Sequence, residues 1–124
     1  MSHTSHTILA VDDSPSMRRM VVYVLTSAGY SVLEAGDGDE ALRLARKHPV
    51  DAVLTDQNMP NMDGIALVER LRALEGYAST PIMLLTTESS AEMKQKGREA
   101  GATGWMVKPF DPERLIEMFA RILP

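Results

Sequence analysis

The chain has 124 residues, a length that fits one domain with a single core. Its 13 Lys and Arg residues face 17 Asp and Glu, so the formal charge is −4, a balance that disfavours nucleic-acid binding. The absence of cysteine excludes disulfides and thiolate metal sites. No apolar run approaches the ~18 residues of a membrane span, and the start lacks a signal-peptide pattern. These features predict a cytoplasmic, monomeric single domain over residues 1–124 that binds neither nucleic acid nor membrane.

Five short apolar segments, each rich in Val, Ile, Leu or Thr, are typical of buried strands. In chain order they are Thr7–Val11, Ser31–Glu34, Ala52–Asp56, Ile82–Thr86 and Thr103–Val107. Apolar residues at helical spacing lie between and after them, which predicts helices at Met17–Ala28, Gly38–Lys47, Ile65–Leu74, Ala91–Ala100 and Leu115–Ile122. Strand and helix alternate five times, so we expect an α/β fold with a doubly wound parallel sheet.

Two of these helices have distinctive sequences. Asp111, Pro112 and Glu113 precede the last helix as a capping aspartate, a first-turn proline and an acid that the helix dipole favours. The helix at Ala91–Ala100 is mostly polar and contains Gly97. It is either a solvated surface helix or a mobile element of low local stability.

Polar residues follow four of the five strands, at the edge where ligands bind in open α/β sheets. Asp12 and Asp13 follow the first strand, Asp56 and Thr86 end the third and fourth, and Lys108 follows the fifth. Singly, each has an ordinary explanation: a helix cap, a turn, a strand end or a surface lysine. Their position at the same end of four strands instead predicts a functional site.

The residue types at this edge indicate a chemistry. Three crowded carboxylates repel one another, which raises a pKa or requires a cation. Oxygen ligands without His or Cys suit a hard divalent ion, foremost Mg²⁺. An aspartate can also attack phosphorus, and a metal, a lysine and a hydroxyl would then neutralise the phosphoryl oxygens. The chain has no Gly-rich phosphate loop, so a nucleotide site is unsupported.

Three segments resemble the motifs of response-regulator receiver domains, and most closely the stand-alone chemotaxis members of that family. They are Ile8–Arg19, Asp56–Gly64 and Val107–Phe110, and the resemblance extends from about Thr7 to the end of the chain. It implies a flavodoxin-like (βα)5 fold with strand order 2-1-3-4-5. It also implies a cis peptide bond between Lys108 and Pro109.

The same resemblance implies roles for the site residues. Asp56 would accept a phosphoryl group from a histidine kinase, and Lys108 would pair with that group. Asp13 and Asp56 would bind Mg²⁺ through their carboxylates, Asn58 through its backbone carbonyl, and Asp12 through water. The protein would be a switch that phosphorylates and dephosphorylates itself, without a separate substrate.

Further positions match the family's switch. Thr86 would move towards the phosphoryl group, and output would come from the face formed by the fourth helix, fifth strand and fifth helix. Trp105 occupies the aromatic switch position, where chemotaxis members commonly carry tyrosine; it either swings inward or stays packed. Asn58 and Glu88 occupy the positions that tune the phosphoryl lifetime, and their types imply rapid turnover.

The loop after Asp56 also contains a glutamine and two methionines. Gln57 stands where some relatives place tryptophan. Met59 and Met62 are expected to pack in the core or the loop, with an adaptable partner surface as the alternative.

The resemblance implies partners for the protein, and two other functions stay open as alternatives. The kinase would be CheA-like, and the output partner would be the flagellar motor switch protein or another output protein. A phosphorelay intermediate or phosphate sink, which passes the phosphoryl group to another histidine protein, would share every site residue. A remote alternative is an aspartate-nucleophile phosphatase of the haloacid dehalogenase type. That chemistry usually needs a second acid where this chain has Asn58.

Overall fold

The computed structural model describes residues 6–88 and 90–123, in which five strands and five helices alternate. The strands are β1 (Thr7–Val11), β2 (Ser31–Ala35), β3 (Ala52–Asp56), β4 (Ile82–Thr86) and β5 (Gly104–Val107). The helices are α1 (Pro15–Ser27), α2 (Gly38–Lys47), α3 (Gly64–Arg72), α4 (Ala91–Ala100) and α5 (Pro112–Ile122). Every predicted strand and helix is therefore present, with differences only at the ends.

The strand ends differ from the prediction at two places. β2 continues one residue past Glu34, and β5 begins at Gly104 instead of Thr103. Thr103 still meets β4, because its backbone N–H donates to the carbonyl of Ile82 at 2.8 Å. However, the Thr103 hydroxyl accepts the N–H of Ile82, at 2.9 Å, so the regular backbone ladder starts one residue later.

All strands are parallel, in the order β2-β1-β3-β4-β5, which confirms the flavodoxin-like doubly wound fold. Every residue of β3 and β4 is buried, as expected for central strands with helices on both faces. Since the strands are parallel, their carboxyl ends meet at one edge of the sheet. The polar residues after the strands therefore lie on the same side of the molecule.

Two apolar clusters cover the two faces of the sheet. One joins the sheet to α2 and α3 and includes Leu9 and Leu67, and the other joins it to α1 and α5 and includes Ile8 and Leu115. Adjacent residues of β1 thus point into opposite clusters, because successive side chains of a strand alternate between faces. The second cluster contains Phe119, a fully buried residue.

Each helix begins with a side-chain cap. The caps are Ser14, Asp37, Asp63, Ser90 and Asp111, whose side chains accept backbone N–H groups of the first turn. The predicted cap at Asp111 is thus confirmed. Since Ser14 caps α1, the alternative that Asp12 or Asp13 serves as this cap is wrong, and another reason is needed for both acids.

The fourth helix is exposed, as its polar sequence predicts. Only Gly97 and Ala100 of α4 are buried. None of the helices in the described ranges is long and apolar enough to cross a membrane.

Candidate functional site

The structure brings three of the predicted acids together at the carboxyl edge of the sheet. Oxygen atoms of Asp12, Asp13 and Asp56 all lie within 4.8 Å of one another. Asp12 and Asp56 are each only 3 % exposed, whereas Asp13 faces solvent. The cluster therefore has two buried members and one open side.

Lys108 completes this cluster with a positive charge. Its Nζ lies 2.8 Å from Oδ1 of Asp56, and both side chains are largely buried. The backbone N–H of Lys108 donates to the carbonyl of Thr86 at 2.7 Å, so the end of β4 positions the lysine. The Lys108–Pro109 peptide bond is cis, as the resemblance implied.

Burial raises the pKa of Asp12, and the charges of Asp56 and Asp13 raise it further. The hydrogen bond from the N–H of Ser14, at 2.9 Å, and the charge of Lys108 oppose this shift. A cation among the three carboxylates would offset the repulsion. Because the donors are all hard oxygen atoms, the residues present fit Mg²⁺.

One hydrogen bond closes the turn after β4, and a second connects that turn to the loop after β3. The buried hydroxyl of Thr86 accepts the N–H of Glu88 at 3.0 Å. The amide nitrogen Nδ2 of Asn58 donates to the hydroxyl of Thr87 at 3.2 Å, which joins the loop after β3 to the loop after β4. Thr86 and Asn58, both predicted from the sequence as site residues, thus lie on the two segments next to Asp56.

Trp105, which the resemblance assigns as a switch residue, lies on β5 beneath α4. Its ring is half-buried and packs against the cluster that contains α2 and α3. Lys94 Nζ lies 5.3 Å from the ring centroid and the guanidinium carbon of Arg98 lies 5.6 Å from it, both within the range of cation–π attraction.

Sequence reasoning missed the supporting role of Arg18. Its guanidinium donates to the backbone carbonyl of Asp12 at 2.6 Å and pairs with Glu34 at 3.2 Å. The side chain thus fastens the turn that contains Asp12 to strand β2. Arg18 lies inside a motif segment, but the chain pattern does not reveal which carbonyl a surface arginine will reach.

The loop after Asp56 is better packed than a surface loop. Met59 and Met62 are both buried and belong to the same cluster as α2 and α3, which confirms the packing interpretation of these residues. The side chain of Gln57 is also buried, and its Oε1 accepts the N–H of Ile65 at 2.8 Å. The sequence marked Gln57 only as unusual and did not predict this bond.

A five-stranded parallel sheet of this order, with three acids, a hydroxyl and a lysine at its carboxyl edge, defines a receiver-type α/β protein. The family model for the response regulator receiver domain matches residues 8–120, so the chain belongs to that family. Members of this family are signalling switches, not enzymes that act on a separate substrate. They interact with histidine kinases and output proteins.

Comparison with individual proteins shows which members of the receiver family this chain resembles. The chain is 41% identical over 118 residues to a chemotaxis protein CheY homolog of Campylobacter jejuni, which covers 94% of this chain and 91% of that protein. The structure resembles the chemotaxis protein CheY4 of Vibrio cholerae with a TM-score of 0.94 and 49% identity, over 97% of this chain and 100% of CheY4. The chain is a CheY-like response regulator of two-component signalling.

A more distant relative has a metal in its cleft. The receiver domain of the sensor histidine kinase PA1611 of Pseudomonas aeruginosa, described with a magnesium ion coordinated in its active-site cleft, is 30% identical with a TM-score of 0.87. That similarity covers 95% of this chain and 97% of the relative.

Proposed function

We propose that this chain works as a single receiver domain in which Asp56 accepts a phosphoryl group from the phosphohistidine of a histidine kinase. One observation supports this assignment most directly: the ammonium group of Lys108 lies 2.8 Å from the Asp56 carboxylate. A buried carboxylate beside a fixed cation has the arrangement needed to hold a transferred phosphoryl group, whose oxygens are negatively charged.

In the proposed transfer, a carboxylate oxygen of Asp56 attacks the phosphorus atom. The new P–O bond forms as the P–N bond to the kinase histidine breaks, and the electron pair of that bond returns to the imidazole nitrogen. Lys108 neutralises charge on the phosphoryl oxygens, and the hydroxyl of Thr86 donates a hydrogen bond to them.

The cofactor that we assign to this site is Mg²⁺, held by Asp12, Asp13, Asp56 and the backbone carbonyl of Asn58. When bound, it supplies positive charge beside the phosphoryl oxygens. The mutual distances within the acidic cluster and the magnesium reported for the Pseudomonas relative support this assignment. The acceptor Asp56 and its neighbour Asp12 are each only 3 % exposed, whereas Asp13 faces solvent at the open side of the cluster.

The switch that we propose couples Thr86 to the face formed by α4, β5 and α5. Thr86 would give up its bond with Glu88 to reach the phosphoryl group, and the loop after β4 would follow. Trp105 lies on this face and would sense the movement. A shift of a few kcal/mol between two states is enough to change partner affinity tens- to hundreds-fold, at about 1.4 kcal/mol for each factor of ten.

The relatives from Campylobacter jejuni and Vibrio cholerae are chemotaxis proteins, and we therefore assign this chain to a chemotaxis pathway in the cytoplasm. Its phosphodonor would be a CheA-like kinase, and its output partner the flagellar motor switch protein. Asn58 and Glu88, which occupy the lifetime-tuning positions, would give rapid loss of the phosphoryl group.

The test is a titration followed by Trp105 fluorescence, first with Mg²⁺ and then with beryllofluoride, which mimics an aspartyl phosphate. Trp105 is the only tryptophan of the chain, so its emission reports on one site. We expect a saturable, Mg²⁺-dependent change with beryllofluoride, and no beryllofluoride response in Asp56→Asn.

Calorimetry in parallel separates the site from the switch. Beryllofluoride binding with unchanged emission would support the acceptor site and make Trp105 a static packed residue. No binding by either method would contradict the proposed function.

A further inference from the structure

Gln57 is a buried polar side chain that the proposed transfer does not use. It directly follows Asp56 and is 5 % exposed. Its backbone N–H donates to the carbonyl of Leu85 at 2.9 Å, which attaches it to β4. Its carbonyl accepts the N–H of Gly64 at 3.1 Å and its side-chain Oε1 accepts the N–H of Ile65 at 2.8 Å. One residue thus joins the sheet to the start of α3.

The two acceptors of Gln57 complete the first turn of α3. The first N–H groups of a helix lack partners within the helix. Gly64 and Ile65 donate to Gln57, and Ala66 donates to the Asp63 side chain at 2.8 Å. Two different residues therefore cap this helix, and only Gln57 also adjoins the phosphoacceptor.

The start of α3 lies unusually close to the phosphoacceptor strand. A Cβ atom at Gly64 would stand 2.6 Å from the carbonyl oxygen of Asp56 and 2.9 Å from Cα of Gln57. Only glycine fits such an approach without a shift of backbone atoms. The loop from Gln57 to Gly64 is therefore closed at both ends, and Asn58 lies within it.

From these contacts we infer that Gln57 is a positioning residue that presets the Asn58 carbonyl for Mg²⁺, an inference that rests on the proposed function. A loop fixed before binding loses less conformational freedom when it takes up a ligand. Buried partners that orient metal ligands commonly change metal affinity by about 10–100-fold when they are removed.

The test compares Gln57→Met with the wild type by calorimetric Mg²⁺ titration and by amide hydrogen exchange without metal. Methionine keeps the length and apolar stem of glutamine but offers only a weak acceptor. We expect faster exchange at Ile65 and Mg²⁺ affinity that falls roughly tenfold.

Asp63→Ala is the matched control. It removes the other cap of the same helix turn and leaves both Gln57 acceptors in place. We expect faster exchange at Ala66 and an Mg²⁺ affinity close to wild type at an ionic strength of about 0.15 M, where distant charges are screened. An equal loss of affinity in both variants would reduce Gln57 to a general support of α3 and overturn the inference.

Gln57→Glu is the conservative variant, because it keeps an oxygen acceptor and places a negative charge at a helix start, which the dipole favours. We expect wild-type protection of Ile65 and Mg²⁺ affinity no weaker than wild type. Weaker binding would overturn the inference even if Gln57→Met fails to fold. An unchanged Mg²⁺ affinity in Gln57→Met would also overturn the inference. A wild type that does not bind Mg²⁺ would instead refute the proposed function itself.

Discussion

At the scale of single residues, Asp12 shows the conflict between binding and stability. Its carboxylate is nearly inaccessible and stands beside two other acids. Folding therefore raises its pKa, because burial and like charges both penalise the ionised form. The folded state holds a proton on this group more readily than the unfolded state does. The stability that the protonated carboxyl contributes is lost as the pH rises from 3.8, the ordinary pKa of the group, through its higher pKa in the folded state.

The change Asp12→Asn should therefore raise the free energy of unfolding at pH 7 in the absence of Mg²⁺. Asparagine keeps an oxygen that can accept the N–H of Ser14 and removes the buried charge. The gain should shrink as the pH falls through the raised folded pKa of Asp12 and disappear below 3.8, where the aspartate becomes protonated in both states. Urea unfolding of both proteins at several pH values measures the difference.

Glu75→Gln is a suitable control, because Glu75 is an exposed acid outside the acidic cluster. It should change stability little at any pH. A loss of stability at neutral pH in Asp12→Asn would contradict the explanation from charge crowding.

At the scale of elements, α4 is attached to the sheet differently from the other helices. Its apolar surface is small, and two of its cations lie over the ring of Trp105 on β5. Lys94 and Arg98 are four residues apart and so share one face of the helix. Cation–π contacts at exposed sites contribute about 0.5–1 kcal/mol each. For so polar a helix, that is a substantial part of the free energy that holds it against the sheet.

The variants Lys94→Gln and Arg98→Gln should each loosen α4 by about 0.5–1 kcal/mol. We expect faster amide exchange in α4 with unchanged exchange in α2, together with a longer-wavelength Trp105 emission as the ring becomes more hydrated. Lys96→Gln is the internal control. Lys96 lies on the same helix, its side chain is 61% exposed, and it pairs with Glu92 at 3.8 Å. An equal response to Lys96→Gln would show that helix charge, not contact with Trp105, decides the docking.

The elements also show which features could be predicted from the sequence. The apolar runs predicted β3 and β4 well, because a strand covered on both faces needs apolar residues throughout. The site acids and Lys108 could be predicted, because they follow strands whose ends must meet.

Other contacts could not be predicted. The bonds of Arg18 to Asp12 and of Gln57 to Ile65 join separate elements through long side chains with many rotamers. Packing in three dimensions selects among those rotamers, and no periodicity of the chain records the choice. The position of Lys94 over Trp105 depends in the same way on how α4 docks.

At the scale of the whole molecule, the two apolar clusters do not serve the site equally. Met59 and Met62, from the loop after Asp56, belong to the cluster that contains Leu67 of α3. The other cluster, which contains Leu115 of α5, includes no residue of that loop. Both leucines are fully buried. A packing defect in the first cluster should therefore reach the proposed Asn58 ligand, whereas a defect in the second should not.

Leu67→Ala and Leu115→Ala test this asymmetry as a matched pair. Each change removes the same atoms from a buried site and should cost about 2–5 kcal/mol of global stability. Chemical denaturation measures that cost, and calorimetric Mg²⁺ titration of the folded proteins at low temperature measures the effect on the site. We expect Leu67→Ala to weaken Mg²⁺ binding several-fold, equivalent to about 0.5–2 kcal/mol, and Leu115→Ala to leave it unchanged. Equal weakening by the two variants would mean that the site responds to the stability of the whole fold. The asymmetric result would show that the loop is tuned through the α2–α3 side of the sheet alone.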